Sequence, residues 1–112
     1  MIFVFGSNLA GRHGAGAAKV ARMHYGAITG RGWGPQGQSW AIPTKDVQLK
    51  TLPLHEIAKS VQQFLADARN HPELDFNVTR IGCGLAGYTD TDIAPMFKDA
   101  PANCQLPQGW RV

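Results

Sequence analysis

Twice in this chain a short apolar run leads through a glycine-rich loop into a helix-like segment. The first run is Ile2-Phe3-Val4-Phe5, closed by Gly6, with loop over residues 6–16 and an alanine-rich helix expected over residues 14–25. The second is Phe76-Asn77-Val78-Thr79-Arg80-Ile81, followed by Gly82-Cys83-Gly84-Leu85-Ala86-Gly87 and then by Asp92-Ile93-Ala94-Pro95-Met96-Phe97. Strand, glycine loop, helix is how α/β proteins offer bare backbone N–H groups to an anion, because glycine turns tightly and lets a ligand come close. Having the pattern twice favours folds in which parallel strands end at one common edge.

The rest of the chain fits that frame. Residues 27–38, with Gly30, Gly32, Gly34, Pro35 and Gly37, read as a turning loop. Ser39-Trp40-Ala41-Ile42 reads as a short strand stopped by Pro43, and residues 44–51 as a connector. Pro53 suits the first turn of a helix, and Leu54, Ile57, Val61, Phe64, Leu65 and Ala68 recur at three- and four-residue steps, giving one apolar stripe that ends near residues 70–72. Thr89 or Asp90 can cap a short helix over residues 92–98, and residues 109–112 read as a last strand. Strand and helix therefore alternate through four strands. The expected fold is α/β: a three-layer α/β/α arrangement with a short, mostly parallel or mixed sheet, helices on both faces, and one domain over residues 1–112.

Composition limits the partners. The 112 residues can bury a core without staples, and no apolar run approaches the roughly 20 residues that span a membrane. The expectation is a cytoplasmic protein without a membrane partner, or one carried by a phage. A net charge of +3 suits an anionic ligand, but the cations are scattered rather than massed as on a nucleic-acid footprint. Cys83 and Cys104 lie in no CxxC, and no histidine pair flanks them, so neither a metal site nor a cofactor is expected.

Two standard phosphate motifs are excluded. The G-x-G-x-x-G at residues 82–87 lacks the acidic residue that a Rossmann unit carries about 20 positions on; that window reads Ala102-Asn103-Cys104-Gln105-Leu106-Pro107. No G-K-[ST] marks a P-loop. What remains is convergence: both glycine loops and Pro43-Thr44-Lys45 leave the carboxyl ends of expected strands.

These residues resemble those of a known family. Asn8 ahead of Gly14-Ala15-Gly16-Ala17-Ala18, a strand ending in Pro43-Thr44-Lys45, and the late Gly82-Cys83-Gly84-Leu85-Ala86-Gly87-Tyr88 are similar to a small macrodomain. The nearest subgroup holds the terminal ADP-ribose protein glycohydrolase and the DNA ADP-ribosyl glycohydrolase antitoxins; small phage-borne proteins of unknown function also look similar. The resemblance runs from about Phe3 to Phe97. It implies a ligand, ADP-ribose or a derivative, free or on an ADP-ribosylated macromolecule. It implies that Asn8 bonds the distal ribose, that the backbone of Gly14, Ala15, Gly16, Ala17 and of Gly82 to Gly87 holds the phosphates, and that Tyr88 packs on the ribose or diphosphate edge. It also implies that Lys45 is the catalytic nucleophile at the anomeric carbon. The subgroup's acid after Gly-Cys-Gly-Leu is replaced by Ala86, with Asp90 and Asp92 the nearest carboxylates.

Other residues have plainer readings beside functional ones. Asn8 is also a good turn residue, and Lys45 beside Asp46 is also an ordinary solvated pair. Cys83 reads as a small buried residue more than as a nucleophile and Trp40 as core; a lid over a base or a ribose is the lesser reading of Trp33, and a loop residue facing the ligand the lesser reading of His13. Three functions are consistent with the sequence: an ADP-ribose-binding domain with glycohydrolase activity through Lys45, a non-catalytic protein that sequesters or senses a nucleotide signal, and a nucleic-acid-interacting module suggested by the basic balance and Trp33.

Overall fold

A computed structural model describes residues 1–111, and Val112 lies outside the described residues. In chain order the elements are β1 (Ile2–Asn8), α1 (Gly16–His24), β2 (Gly34–Gln36), β3 (Ser39–Lys45), α2 (Leu54–Asn70), β4 (Phe76–Val78), α3 (Asp90–Ile93) running into a 3-10 turn (Ala94–Phe97), and β5 (Cys104–Gln105). They form one sheet in the order β2-β3-β1-β4-β5. β1 pairs parallel with β3 and β4, and β4 with β5, while the edge strand β2 runs antiparallel to β3.

The run at residues 2–5 is apolar without alternation because both faces of β1 are covered. Phe3 and Phe5 point to one side, into a cluster with Ala18, Ala21, Ala27 and Ala41. The alanines bring α1 close to the sheet. Phe3 stacks on Tyr25 with ring centres 4.5 Å apart. Val4 points to the other side, into the larger cluster with Trp40, Ile42 and the inward stripe of α2. That stripe is the expected one: Ile57, Val61, Phe64, Leu65 and Ala68 are all buried. Helices thus cover both faces of a mixed sheet, and the α/β layering expected from the alternation holds. No helix among the described residues is long and apolar enough to cross a membrane.

Five boundaries differ from expectation. Residues 34–36, read as loop, form β2; a glycine and a proline in three residues hide an edge strand. β3 does not stop at Pro43 but runs to Lys45. Pro43 pairs with Ser7 of β1, past the last β2–β3 pair at Ala41, so no edge neighbour requires its missing N–H. β4 ends at Val78, three residues before Ile81, and α3 starts at Asp90 with Thr89 as cap, its hydroxyl and Asp92 forming a capping box. The last strand is Cys104–Gln105 beside β4; residues 109–111 are turn and coil, and the remaining position of that expected strand, Val112, lies outside the described residues.

The loop after β1 is fixed by a crossing of backbones. Gly11 lies on Gly30, where an added Cβ would stand 2.3 Å from the Gly30 carbonyl carbon, and Gly32 lies on Asn8, where a Cβ would stand 1.9 Å from the carbonyl oxygen. The Gly30 N–H donates to Gly11 O at 2.9 Å, and the Ser7 hydroxyl donates to Gly32 O. His13 is buried in this crossing, with Nε2 at 3.1 Å from both Ile28 O and Arg31 O. Its functional reading is not met: it packs between loops.

Two measurements follow from this packing. Gly32→Ala should lose about 3 kcal/mol or more, since backbone must move to admit the methyl group. Gly14→Ala, where a Cβ meets nothing within 4 Å, should change stability by less than about 0.5 kcal/mol. Urea midpoints of the two variants check the contrast. At the end of α2, His71 has a pKa raised above 6.5, first by its hydrogen bond to the Asp67 backbone and also by the Asp67 carboxylate, against a lowering by burial. The fold therefore favours the protonated ring. That contribution is complete below pH 6.5 and fades as pH rises through the folded-state value. Denaturation of His71→Gln across neutral pH should show a flatter stability profile than the parent chain.

Candidate functional site

Beyond the carboxyl ends of β1, β3 and β4 lies a cleft of about 700 Å³. The three loops expected to converge do meet there. Asn8, Gly14, Ala15, Gly16 and Ala17, Lys45, and Gly82, Cys83, Gly84, Leu85 and Ala86 all line it. Gly87 and Tyr88 do not line it. Side chains to which the sequence reading gave no role line it too, among them Ser7, Arg12, Leu49, Thr79 and Arg80. Arg12 lay inside a recognised loop and Arg80 at the end of a recognised strand, so their positions pointed to this rim.

The walls are rich in unused backbone donors. α1 is entered through Ala15, its extended N-cap, with no side-chain cap and no acidic residue in the first turn. The N–H groups of Gly16, Ala17 and Ala18 have no acceptor among the described residues. Opposite, the late loop closes on itself through Cys83 N–H to Arg80 O at 3.1 Å, Gly87 N–H to Gly84 O at 3.0 Å and Tyr88 N–H to Gly82 O at 2.9 Å. That leaves the N–H groups of Gly82, Gly84, Leu85 and Ala86 without acceptors among the described residues. Gly82 has φ 77, and a Cβ there would press on Ile93 at 3.1 Å, so both its conformation and its space call for glycine.

The cleft's charge is one-sided. Arg12, Lys45 and Arg80 line it, and none of the eight Asp and Glu side chains does. Arg80 is paired with Asp90 at 2.6 Å; Arg12 and Lys45 form no ion pair among the described residues. The two carboxylates nearest in sequence are committed elsewhere. Asp90 accepts from Trp110 Nε1 at 3.0 Å and from Arg80, which hold its carboxyl below the usual range and so ionised. Asp92 serves the Thr89 cap at 3.0 Å.

Several expected roles change. Asn8 is turned onto its own loop: its Nδ2 donates to Arg12 O at 2.8 Å and its Oδ1 accepts from Arg12 N–H at 2.9 Å. It orders the segment that carries Arg12, rather than standing open to a ribose. Tyr88 donates from its hydroxyl to Leu52 O at 2.6 Å and packs on the core, away from the cleft. Beside it Thr51 donates to Ala86 O at 3.0 Å, so the late loop is tied to the segment after β3. Trp33 lies edge-on to Trp40 at 5.5 Å and does not cover the cleft. Cys83 lines the cleft but is a poor nucleophile: burial pushes its thiol pKa up, and Asp90, 3.7 Å from the sulfur, adds to this. Among the described residues no group of three or more His, Cys, Asp and Glu is placed to hold a metal.

Native alkylation should therefore be slow at both cysteines. At mildly alkaline pH, Cys83 should react more slowly than in the unfolded chain, and Cys104, buried and pushed up to about 11, should react only on unfolding. Mass-resolved alkylation with and without denaturant measures both, and equal rates in the two states would contradict the assignment.

No protein-family model, curated protein or solved structure matches this chain.

Proposed function

We propose that the chain binds ADP-ribose or a related nucleotide derivative by its diphosphate, in the cleft between the start of α1 and the late glycine loop. One observation carries the reading: two loops that line one cleft each hold backbone N–H groups without acceptors, with Arg12 and Lys45 outside any ion pair among the described residues and no carboxylate among the lining side chains. Such a surface stabilises an anion through oriented amides and charge-assisted hydrogen bonds. The volume, about 700 Å³, suits a small organic ligand better than a lone ion. The resemblance to macrodomains supplies the identity of the anion, and the free or macromolecule-linked form of the ligand belongs to the same proposal.

The cleft's chemistry favours holding the ligand over hydrolysing it. Lys45 lines the cleft where the resemblance puts a nucleophile, but Ala86 stands where the subgroup has its acid, and Asp90 and Asp92 are engaged elsewhere. With no carboxylic acid in the cleft, no side-chain carboxyl group is present there to protonate a leaving group. A sequestering or sensing role fits this better than a glycohydrolase.

Calorimetry with ADP-ribose tests the proposal. Binding is expected to weaken as salt rises. Arg12→Ala and Lys45→Ala should each weaken it by about tenfold, since each removes one charge-assisted hydrogen bond to the diphosphate. No heat at millimolar ligand would refute it. Incubation with an ADP-ribosylated protein should release no ADP-ribose; release that vanishes in Lys45→Ala would make the chain a glycohydrolase instead.

A further inference from the structure

The cleft's free cations, Arg12 and Lys45, are the groups assigned to the diphosphate, and its hydroxyls already donate to backbone: Ser7 to Gly32 O, Thr44 to Ser7 O and Thr79 to Val4 O. Nucleotide sites discriminate bases with side-chain hydrogen bonds to their edges, or grip them with aromatic faces. Each aromatic side chain of this chain is placed elsewhere. The five phenylalanines are buried in the two core clusters. Tyr25 stacks on Phe3, Trp33 and Trp40 face each other, Trp110 packs on Phe97, and Tyr88 is bonded to Leu52. No carboxylate lines the cleft to accept from an exocyclic amine, and the Asn8 amide is already bonded at both ends to Arg12.

The cleft does present two exposed aliphatic side chains. Leu85 in the late loop is 71% exposed, and Leu49 is 40% exposed. Both belong to the side where Thr51 ties to Ala86. Leu49 is held there at some cost: its φ of 65 is left-handed, a conformation a leucine adopts only when its surroundings impose it. The surroundings are a turn closed by Asp46, which accepts from Gln48 and Lys50 N–H at 2.8 and 2.9 Å. An aliphatic side chain offers contact area to any base and hydrogen bonds to none.

We infer that the cleft takes nucleoside diphosphate derivatives without regard to the base, with the diphosphate fixed by the loops and the base resting on Leu49 and Leu85 by apolar contact alone. The inference rests on the diphosphate reading above. It widens the ligand from the adenine member to a class, nucleoside diphosphates and their sugar derivatives.

The test is calorimetry with ADP, GDP, UDP and inorganic pyrophosphate on the intact chain and on Leu49→Gly, an exposed site whose left-handed φ glycine adopts freely. The three nucleotides should bind within about threefold of one another and more tightly than pyrophosphate. Leu49→Gly should weaken all three alike, by about threefold because glycine offers the base no side-chain contact, and leave pyrophosphate unchanged. A tenfold preference for one base overturns this inference while leaving the diphosphate cleft standing. So does an equal weakening of pyrophosphate in Leu49→Gly, or nucleotides no tighter than pyrophosphate. If none of the four ligands binds, the diphosphate cleft and the inference fall together.

Discussion

The site depends on a contact between backbones that no side chain could share. Gly11 meets Gly30, and Gly32 meets the carbonyl of Asn8, at separations that leave no room for a Cβ. The loop leaving β1 is thereby clasped by the segment before β2. Arg12 and the start of α1 inherit their positions from that clasp. Buried contact normally stabilises through apolar area; here it is built from peptide groups, which pair through the Gly30–Gly11 hydrogen bond, the Ser7 hydroxyl and the ring of His13. Its cost is the flexibility that these glycines give up on folding. Its gain is a loop of fixed shape on a domain whose core is small.

The cleft's electrostatics follow from where the carboxylates went. Asp90 is used to hold Arg80 and Trp110, Asp92 to cap α3, Asp46 to close a turn, and Asp67 to accept from the Trp40 indole at 2.8 Å. Each serves local architecture, and no carboxylate side chain lines the cleft. An anion entering it finds Arg80 already paired with Asp90 but breaks no ion pair at Arg12 or Lys45.

The sequence revealed what depends on periodicity and order. The stripe of α2, the doubly buried β1 and the meeting of three loops at one rim are all readable from the spacing of apolar residues and glycines. What escaped it depends on partners distant along the chain. β2 is three residues long and contains Gly34 and Pro35, so its strand character comes from its pairing with β3 alone. Pro43 reads as a stop until the short reach of β2 is known. Asn8 and Tyr88 are the instructive side chains. Residue type makes each a fair ligand contact, yet the fold supplies nearer partners, the Arg12 backbone and the Leu52 carbonyl. A polar group takes the acceptor that the fold brings within reach, and only the tertiary structure names it.

Asp90 joins distant parts of the chain. It holds Arg80 at the entrance of the late loop, accepts from the indole of Trp110, and lies 3.7 Å from the Cys83 sulfur, while Arg80 also donates to Gln108 O at 3.0 Å. The tail after β5 is thus latched to the back of the late loop through one carboxylate. Proteins open locally in contiguous cooperative units, and shared hydrogen bonds define those units. Tail and loop share these bonds, so whatever peels the tail from the body also slackens one wall of the cleft.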